Sequence, residues 1–234
     1  MFRQALEEGL EQLALSFDGQ TLARLVRYLE LVADIGRRAG VTALREEAAM
    51  ARELVVDSLA GEGCFPPGAR VVDLGSGGGV PGVPLAVFRP DLDLTLLEAN
   101  GKKCIFLREV IEELSLANVV VLQGRSEEVA HDRSYRGAFE VVTAKAVASL
   151  ATLIELGIPL LKKDGLLLAY KGPRAAQEIQ EAARALQLLS GEVRVVREYS
   201  LFDKSYCLVE VRKTGPSPDR YPRRPGQPAK HPLI

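Results

Sequence analysis

A run of glycines between two acidic residues carries the strongest chemical signal in this sequence. Asp73 ends one apolar stretch, and a second apolar stretch closes on Glu98. Between them lie five glycines, Gly75, Gly77, Gly78, Gly79 and Gly82. Glycines let backbone N–H groups approach a ligand that a Cβ would push away. A carboxylate such as Glu98 can accept hydrogen bonds from both hydroxyls of a ribose. The pattern therefore predicts a nucleotide-binding strand, glycine loop, helix and second strand.

Two cofactors fit this pattern. The spacing Gly77-x-Gly79-x-x-Gly82 satisfies the dinucleotide fingerprint and suits an NAD-dependent oxidoreductase. The spacing Asp73-x-Gly75-x-Gly77 fits S-adenosylmethionine better. A carboxylate beside the glycines repels a pyrophosphate but tolerates a cationic ligand that carries an amino group. The sign of the charge favours a methyltransferase and keeps the oxidoreductase as an alternative.

Strands and helices alternate from residue 70 onward. The predicted strands are 70–74, 93–97, 118–122, 139–144, 165–170, 192–199 and 206–212. The predicted helices are 82–88, 101–115, 149–162 and 174–189. Such alternation predicts a parallel sheet with helices on both faces, and the last two strands, which lack a helix between them, form an antiparallel hairpin. We therefore predict an α/β fold of the class I S-adenosylmethionine-dependent methyltransferase type: a Rossmann-like, mostly parallel seven-stranded sheet whose last strand is antiparallel.

The chain divides into three parts. Residues 1–65 form an N-terminal helical segment in which apolar residues recur at helical spacing, with a break near residues 39–42. Residues 66–214 form the predicted methyltransferase domain. Residues 215–234 form a basic, proline-rich C-terminal tail, which we expect to be extended and unable to form a packed core.

Composition excludes several classes of function. No stretch approaches the length of apolar sequence that crosses a bilayer, and the first residues lack a signal-peptide pattern. Three scattered cysteines suit a reducing compartment, and the two histidines cannot build a metal site. We therefore expect a cytoplasmic, monomeric enzyme with no metal and no membrane partner.

Basic residues follow three of the predicted strands. Arg125, Lys145 and Lys171 lie at carboxyl ends of strands, where ligands of open α/β sheets bind. The tail adds Arg223 and Arg224. These positions suit an anionic substrate such as a nucleic-acid backbone. The alternative is that each base is a helix cap or a surface charge.

Five segments together resemble one family, the bacterial small-subunit ribosomal RNA guanine-N-7 methyltransferases, first known as glucose-inhibited division protein B. The segments are VVDLGSGGGVPGVPLAV, LLEANGKKCIFLREV, GRSEEVA, VVTAKAVASL and the strand Gly165–Gly172. The match begins in the N-terminal segment at Thr42 and reaches about residue 174. Lys145 is a departure, because the family commonly has arginine there. The segment Gly40–Ala43 departs too, since the family has Asn-Leu-Thr-Ala.

The resemblance implies an enzyme that uses S-adenosylmethionine to methylate one guanine of 16S ribosomal RNA or the small ribosomal subunit. A non-catalytic RNA-binding protein with a vestigial cofactor pocket is a further alternative. The implied cofactor contacts comprise Asp73, Gly75, Gly77 and Val80 in the loop, Glu98, Ala99 and Asn100 at the ribose, and Ser126 and Glu127 at the adenine. Lys145 lies at the reaction centre in the catalytic role, in contact with both cofactor and substrate. Arg125, Lys171, Arg223 and Arg224 are the other expected substrate contacts.

Overall fold

A seven-stranded mixed sheet forms the centre of the computed structural model, which describes all 234 residues. The strands are β1 (Arg70–Leu74), β2 (Asp93–Glu98), β3 (Val119–Gln123), β4 (Phe139–Lys145), β5 (Leu161–Lys171), β6 (Gly191–Leu201) and β7 (Lys204–Lys213). Their order across the sheet is β3-β2-β1-β4-β5-β7-β6. The strands β1 to β5 pair in parallel, and β7 runs antiparallel to both β5 and β6. The predicted fold class is confirmed, including the terminal hairpin.

Twelve α-helical segments surround or precede the sheet. They are α1 (Phe2–Gln12), α2 (Gly19–Leu31), α3 (Arg37–Ala39), α4 (Glu47–Met50), α5 (Asp57–Leu59), α6 (Gly82–Phe88), α7 (Gly101–Glu113), α8 (Ser126–Val129), α9 (Leu150–Gly157), α10 (Ala175–Glu181), α11 (Ala183–Leu189) and α12 (Gln227–Lys230). Helices α6 and α7 begin at the predicted residues. The predicted helix 174–189 is interrupted at Ala182, and α8 and α12, each of only four residues, were not predicted.

The N-terminal helices share a hydrophobic core with one face of the sheet. Leu6, Leu25 and Tyr28 are fully buried in the same cluster as Val83 of α6 and Leu94 of β2. This burial comes from apolar residues that recur along one face of each helix. The N-terminal segment is therefore packed directly over the strands that carry the glycine loop.

Two π-helical stretches interrupt the N-terminal helices. Val32–Gly36 joins α2 to α3, and Ala51–Val56 joins α4 to α5. At the end of the second stretch the N–H of Asp57 bonds to the carbonyl of Arg52, five residues earlier. Such stretches often occur at functional sites, and here the second one precedes a helix that touches the rim of the sheet.

The C-terminal tail packs against the opposite face of the sheet. Tyr221 is buried in the cluster formed by that face, and Pro222 and Pro228 are also buried. The guanidinium of Arg136 donates to the carbonyls of Tyr221, Ser217 and Pro218. The prediction of an extended tail without a packed core is wrong, because carbonyls and side chains of the tail find partners in the sheet domain.

No helix of the structure combines the length and the apolar character that crossing a bilayer requires.

Candidate active site

The glycine loop between β1 and α6 has a backbone that excludes side chains at two points. Gly79 has a φ of +96°, and a Cβ there would lie 2.6 Å from a methyl carbon of Val83. A Cβ on Gly82 would lie 2.3 Å from a methyl carbon of Leu96 and 2.8 Å from Oδ2 of Asp73. The first turn of α6 therefore lies directly on the ends of β1 and β2, where a ligand can reach backbone groups.

Asp73 is the penultimate residue of β1, and its side chain is fully buried. Its Oδ2 accepts a hydrogen bond from the N–H of Gly82 at 3.1 Å, whereas Oδ1 has no partner. Burial raises the pKa of the Asp73 carboxyl to about 7, because desolvation disfavours the charged form. An unpaired, buried carboxylate oxygen fits a cationic amino group and repels a pyrophosphate. These groups therefore fit S-adenosylmethionine better than a dinucleotide.

Glu98 joins the glycine loop to the turn after β2. Its Oε2 accepts from the N–H of Gly77 at 2.9 Å, and its Oε1 accepts from the N–H of Asn100 at 2.7 Å. Each carboxylate oxygen has a further lone pair, so two ribose hydroxyls could still donate to it. Asn100 caps α7 through bonds from the N–H groups of Lys102 and Lys103, and Ala99 is exposed. Glu98 thus holds the glycine loop in place and keeps lone pairs that are available to a ligand.

The N-terminal helices reach the glycine loop through Tyr28. Its fully buried hydroxyl donates to the carbonyl of Gly78 at 2.8 Å. Burial and the nearby Asp73 carboxylate raise the pKa of Tyr28 far above its ordinary value, so the hydroxyl remains a donor. A Cβ on Gly78 would lie 3.2 Å from Cβ of Val41. Neither contact was predicted, although a tyrosine in an apolar helical stripe needs a partner for its hydroxyl.

Ser126 and Glu127 open α8 just after β3. The hydroxyl of Ser126 donates to the carbonyl of Leu156 at 3.1 Å. Oε1 of the buried Glu127 accepts from the N–H of Gly226 at 2.8 Å. These two residues, predicted to frame an adenine, therefore tie α8 to α9 and to the C-terminal tail.

Lys145 ends β4 and contacts the N-terminal segment. Its Nζ lies 2.7 Å from Oδ2 of Asp57 and also donates to the carbonyl of Glu53. The hydroxyl of Tyr199 donates to Oδ1 of Asp57 at 2.5 Å. The hydroxyl of Tyr170 donates to the carbonyl of Ser58, the residue after Asp57, at 2.6 Å. The ammonium group predicted for the reaction centre is therefore held by a buried carboxylate that sequence analysis did not single out.

The other predicted substrate contacts differ in their availability. Nζ of Lys171 donates to the carbonyl of Ala148 at 2.7 Å and to Glu178 at 2.8 Å. Arg125 and Arg224 are exposed. The guanidinium of Arg223 is instead paired with Glu155 of α9, at 2.8 Å from Nε and 2.6 Å from Nη2. Arg223 therefore holds the tail on α9. The prediction that its guanidinium contacts the substrate is wrong, because Glu155 already occupies that group.

A cavity of about 620 Å³ opens at the carboxyl ends of β4 and β5. Its lining includes Lys145, Lys171, Pro173 and Tyr206. Tyr206 stacks on Tyr199 with ring centroids 5.5 Å apart. Pro173 follows the end of β5, whereas Tyr206 was not predicted at the rim, because its position depends on the pairing of β5 with β7.

The cavity lies beside the glycine loop. A Cβ on Gly75 would lie 3.2 Å from a methyl carbon of Val147, and both neighbours of Val147, Ala146 and Ala148, line the cavity. The positive charge of Lys145 also lowers the pKa of Asp73, a smaller effect than that of burial. The loop and the cavity are therefore adjacent, as a donor site and an acceptor site for group transfer must be.

The sequence matches known proteins along most of its length. The model of the GidB family, described as rRNA small subunit methyltransferase G, matches residues 21–206. A protein of Chloroflexus aggregans named ribosomal RNA small subunit methyltransferase G is 43% identical over 90% of this chain and 90% of its own. A protein of Moorella thermoacetica with the same name is 37% identical over 92% of this chain and 91% of its own.

The fold has solved counterparts. A SAM-dependent methyltransferase from Aquifex aeolicus superposes with a TM-score of 0.56 at 16% identity, covering 75% of this chain and 98% of its own. The prediction of an S-adenosylmethionine-dependent methyltransferase is confirmed, and the oxidoreductase alternative is not supported. The protein belongs to the GidB family of small-subunit ribosomal RNA methyltransferases.

Proposed function

We propose that this protein transfers the methyl group of S-adenosylmethionine to N-7 of a guanine in small-subunit (16S) ribosomal RNA. The names of its relatives support the class of RNA. The guanine and its N-7 atom rest on the resemblance described above and on the chemistry of the cavity. Action on ribosomal RNA implies a cytoplasmic location, and we expect the enzyme to act as a monomer.

The pairing of the carboxylates in the cavity carries the proposal. Asp57 and Glu178 both line the cavity, and each lies within 2.8 Å of a lysine ammonium, Lys145 or Lys171. Each of these carboxylates is therefore engaged by an ammonium group, and neither is aimed unpaired into the cavity. Guanine N-7 presents a lone pair and has no proton to lose, so its methylation needs orientation rather than a base.

Different residues serve the cofactor side of the site, at the glycine loop, and the substrate side, at the cavity. When bound, S-adenosylmethionine supplies the methyl group, and the positive charge of its sulfonium passes to the guanine with that group. Asp73 and Glu98 are the residues that would hold the cofactor, through its amino group and its ribose hydroxyls. Tyr206 lines the cavity, and its aromatic ring is the kind of surface on which a base stacks. Arg125 and Arg224, both exposed, remain available for phosphates.

Transfer of a labelled methyl group tests the proposal. Small ribosomal subunits from a strain that lacks the corresponding enzyme are incubated with the protein and labelled S-adenosylmethionine. We expect close to one methyl group per subunit in the RNA, and none in large-subunit RNA treated in parallel. Equal labelling of the two RNAs, or none in either, would contradict the proposed substrate.

A further inference from the structure

A second cleft lies in the N-terminal segment, apart from the cavity at the sheet. It has a volume of about 240 Å³. We call it the arginine cleft, and its lining consists of Arg37, Arg38, Thr42, Ala43, Leu44 and Arg45. Three of the seven arginines in residues 1–65 therefore surround one cleft, although the whole chain has a net charge of −1. No acidic residue belongs to the lining.

The charges of the arginine cleft are poorly compensated within the protein. Nη2 of Arg37 donates to the backbone carbonyl of Arg45 at 3.2 Å, and neither residue pairs with a carboxylate. Arg38 contacts Asp34 at 3.2 Å, but both side chains are about three-quarters exposed, at 75% and 76%. Such an exposed pair contributes little and is screened by salt. Each of the three exposed guanidinium groups therefore keeps N–H donors that can bind an external anion.

The same segment forms a wall of the glycine loop. Val41 lies between the arginines in sequence and contacts Gly78, whose Cβ would lie 3.2 Å from Cβ of Val41. It also covers Gly36, whose Cβ would lie 2.7 Å from a methyl carbon of Val41. The arginine cleft is therefore formed by α3 and the short loop that follows it, and Val41 of that loop packs on the glycine loop.

We propose that the arginine cleft binds backbone phosphate of the substrate RNA and so anchors the strand beside the glycine loop. The inference rests on the proposed function, because it takes the substrate to be RNA. Guanidinium groups suit this role, since their planar forks donate two parallel hydrogen bonds to phosphate oxygens. Phosphate contacts fix the position of a strand without reading its sequence. A site that acts on one base requires the strand to be positioned in this way.

Salt-dependent RNA binding tests the arginine cleft. The variant Arg37→Ala/Arg45→Ala is compared with Arg3→Ala/Lys163→Ala, which removes the same charge from exposed positions on α1 and at the start of β5. The probe is a 16S ribosomal RNA transcript titrated at several KCl concentrations. Each lost phosphate contact reduces the log–log salt slope by about 0.7–0.9. We expect the cleft variant to lose about 1.4–1.8 of slope, with RNA affinity down about tenfold and S-adenosylmethionine affinity within twofold of wild type.

Two results would overturn the inference. One is a cleft variant whose RNA slope equals that of the control variant. The other is a loss of cofactor affinity with the RNA slope intact, which would make the arginines supports of the glycine loop. Failure of the proposed function looks different. In that case the wild-type protein binds the transcript with a steep salt dependence but transfers no methyl group to it.

Discussion

Replacing Arg223 with alanine tests whether the C-terminal tail is part of the folded core. Glu155 lies fully buried on α9 and accepts from the backbone N–H of Arg223 at 2.9 Å and from its guanidinium at 2.8 and 2.6 Å. The substitution leaves a buried carboxylate without its counter-charge. Breaking such a pair costs about 3–5 kcal/mol. The backbone contact survives, so we expect the lower part of that range.

The expected loss is large enough to read from a thermal melt. For a chain of this size, each kcal/mol of stability corresponds to about 2–4 °C in Tm. A loss of about 3–4 kcal/mol for Arg223→Ala therefore lowers Tm by about 6–16 °C. Urea unfolding at 25 °C gives the free energy of unfolding independently.

The neighbouring residue supplies the matched control. Arg224 is exposed, so Arg224→Ala should change stability by no more than about 0.5 kcal/mol. In a Glu155→Gln background, Arg223→Ala should cost clearly less than in the wild type, because the charge it compensated is gone. A Tm of Arg223→Ala within about 2 °C of the Tm of Arg224→Ala would refute this reasoning, because it would show that the ion pair does not hold the tail.

Four further substitutions test the site. Glu98→Ala should weaken S-adenosylmethionine binding by about 1.5–3 kcal/mol, the range for bonds to a charged group, and calorimetry on the folded variant should show about a 10- to 100-fold weaker Kd. Lys145→Ala should lower kcat far more than Lys163→Ala at the opposite end of the sheet, and Lys145→Arg should retain much of the activity; a wild-type rate for Lys145→Ala would make the lysine dispensable. Tyr28→Phe leaves the buried carbonyl of Gly78 without its donor, which costs about 1–3 kcal/mol; we expect a severalfold weaker cofactor affinity, and an affinity equal to wild type would remove Tyr28 from the site. Asp73 has a raised pKa of about 7, so its protonated form stabilises the fold at low pH, and this contribution falls as the pH rises from the ordinary pKa of 3.8 toward 7. A cationic cofactor prefers the ionised carboxylate, so cofactor affinity should rise between about pH 6 and 8. The variant Asp73→Asn should lose this pH dependence.

The sheet and the cofactor side of the site were predictable because their signals are local. β1, the glycine loop, α6 and β2 occupy one stretch of about 30 residues, and the alternation of apolar runs and turns fixes their order. The placement of Asp73 and Glu98 at neighbouring strand ends follows from parallel pairing alone. The hairpin of β6 and β7 was predictable for the same reason, since only a short link separates the two runs.

The contacts between distant segments were not predictable. The partner of Glu155 lies 68 residues away, and the pairing of Lys145 with Asp57 joins the sheet to the N-terminal segment. Periodicity reports which face of a helix is buried but not what covers it. One sequence signal was available: Glu155 is the one charged residue of α9, which is otherwise mostly apolar, and a buried carboxylate requires a partner. That signal indicates that Glu155 has a partner, but it does not identify the partner as Arg223.

Identification of the methylated atom tests the central claim most directly. Small-subunit RNA methylated by the wild-type protein is digested to nucleosides for mass spectrometry, and the modified position is mapped by chemical cleavage at 7-methylguanosine. We predict 7-methylguanosine as the single labelled nucleoside, at one position of the RNA. A methyl group on another atom or another nucleoside, or methylation scattered over many guanines, would contradict a cavity that presents the N-7 lone pair of one guanine to the methyl donor.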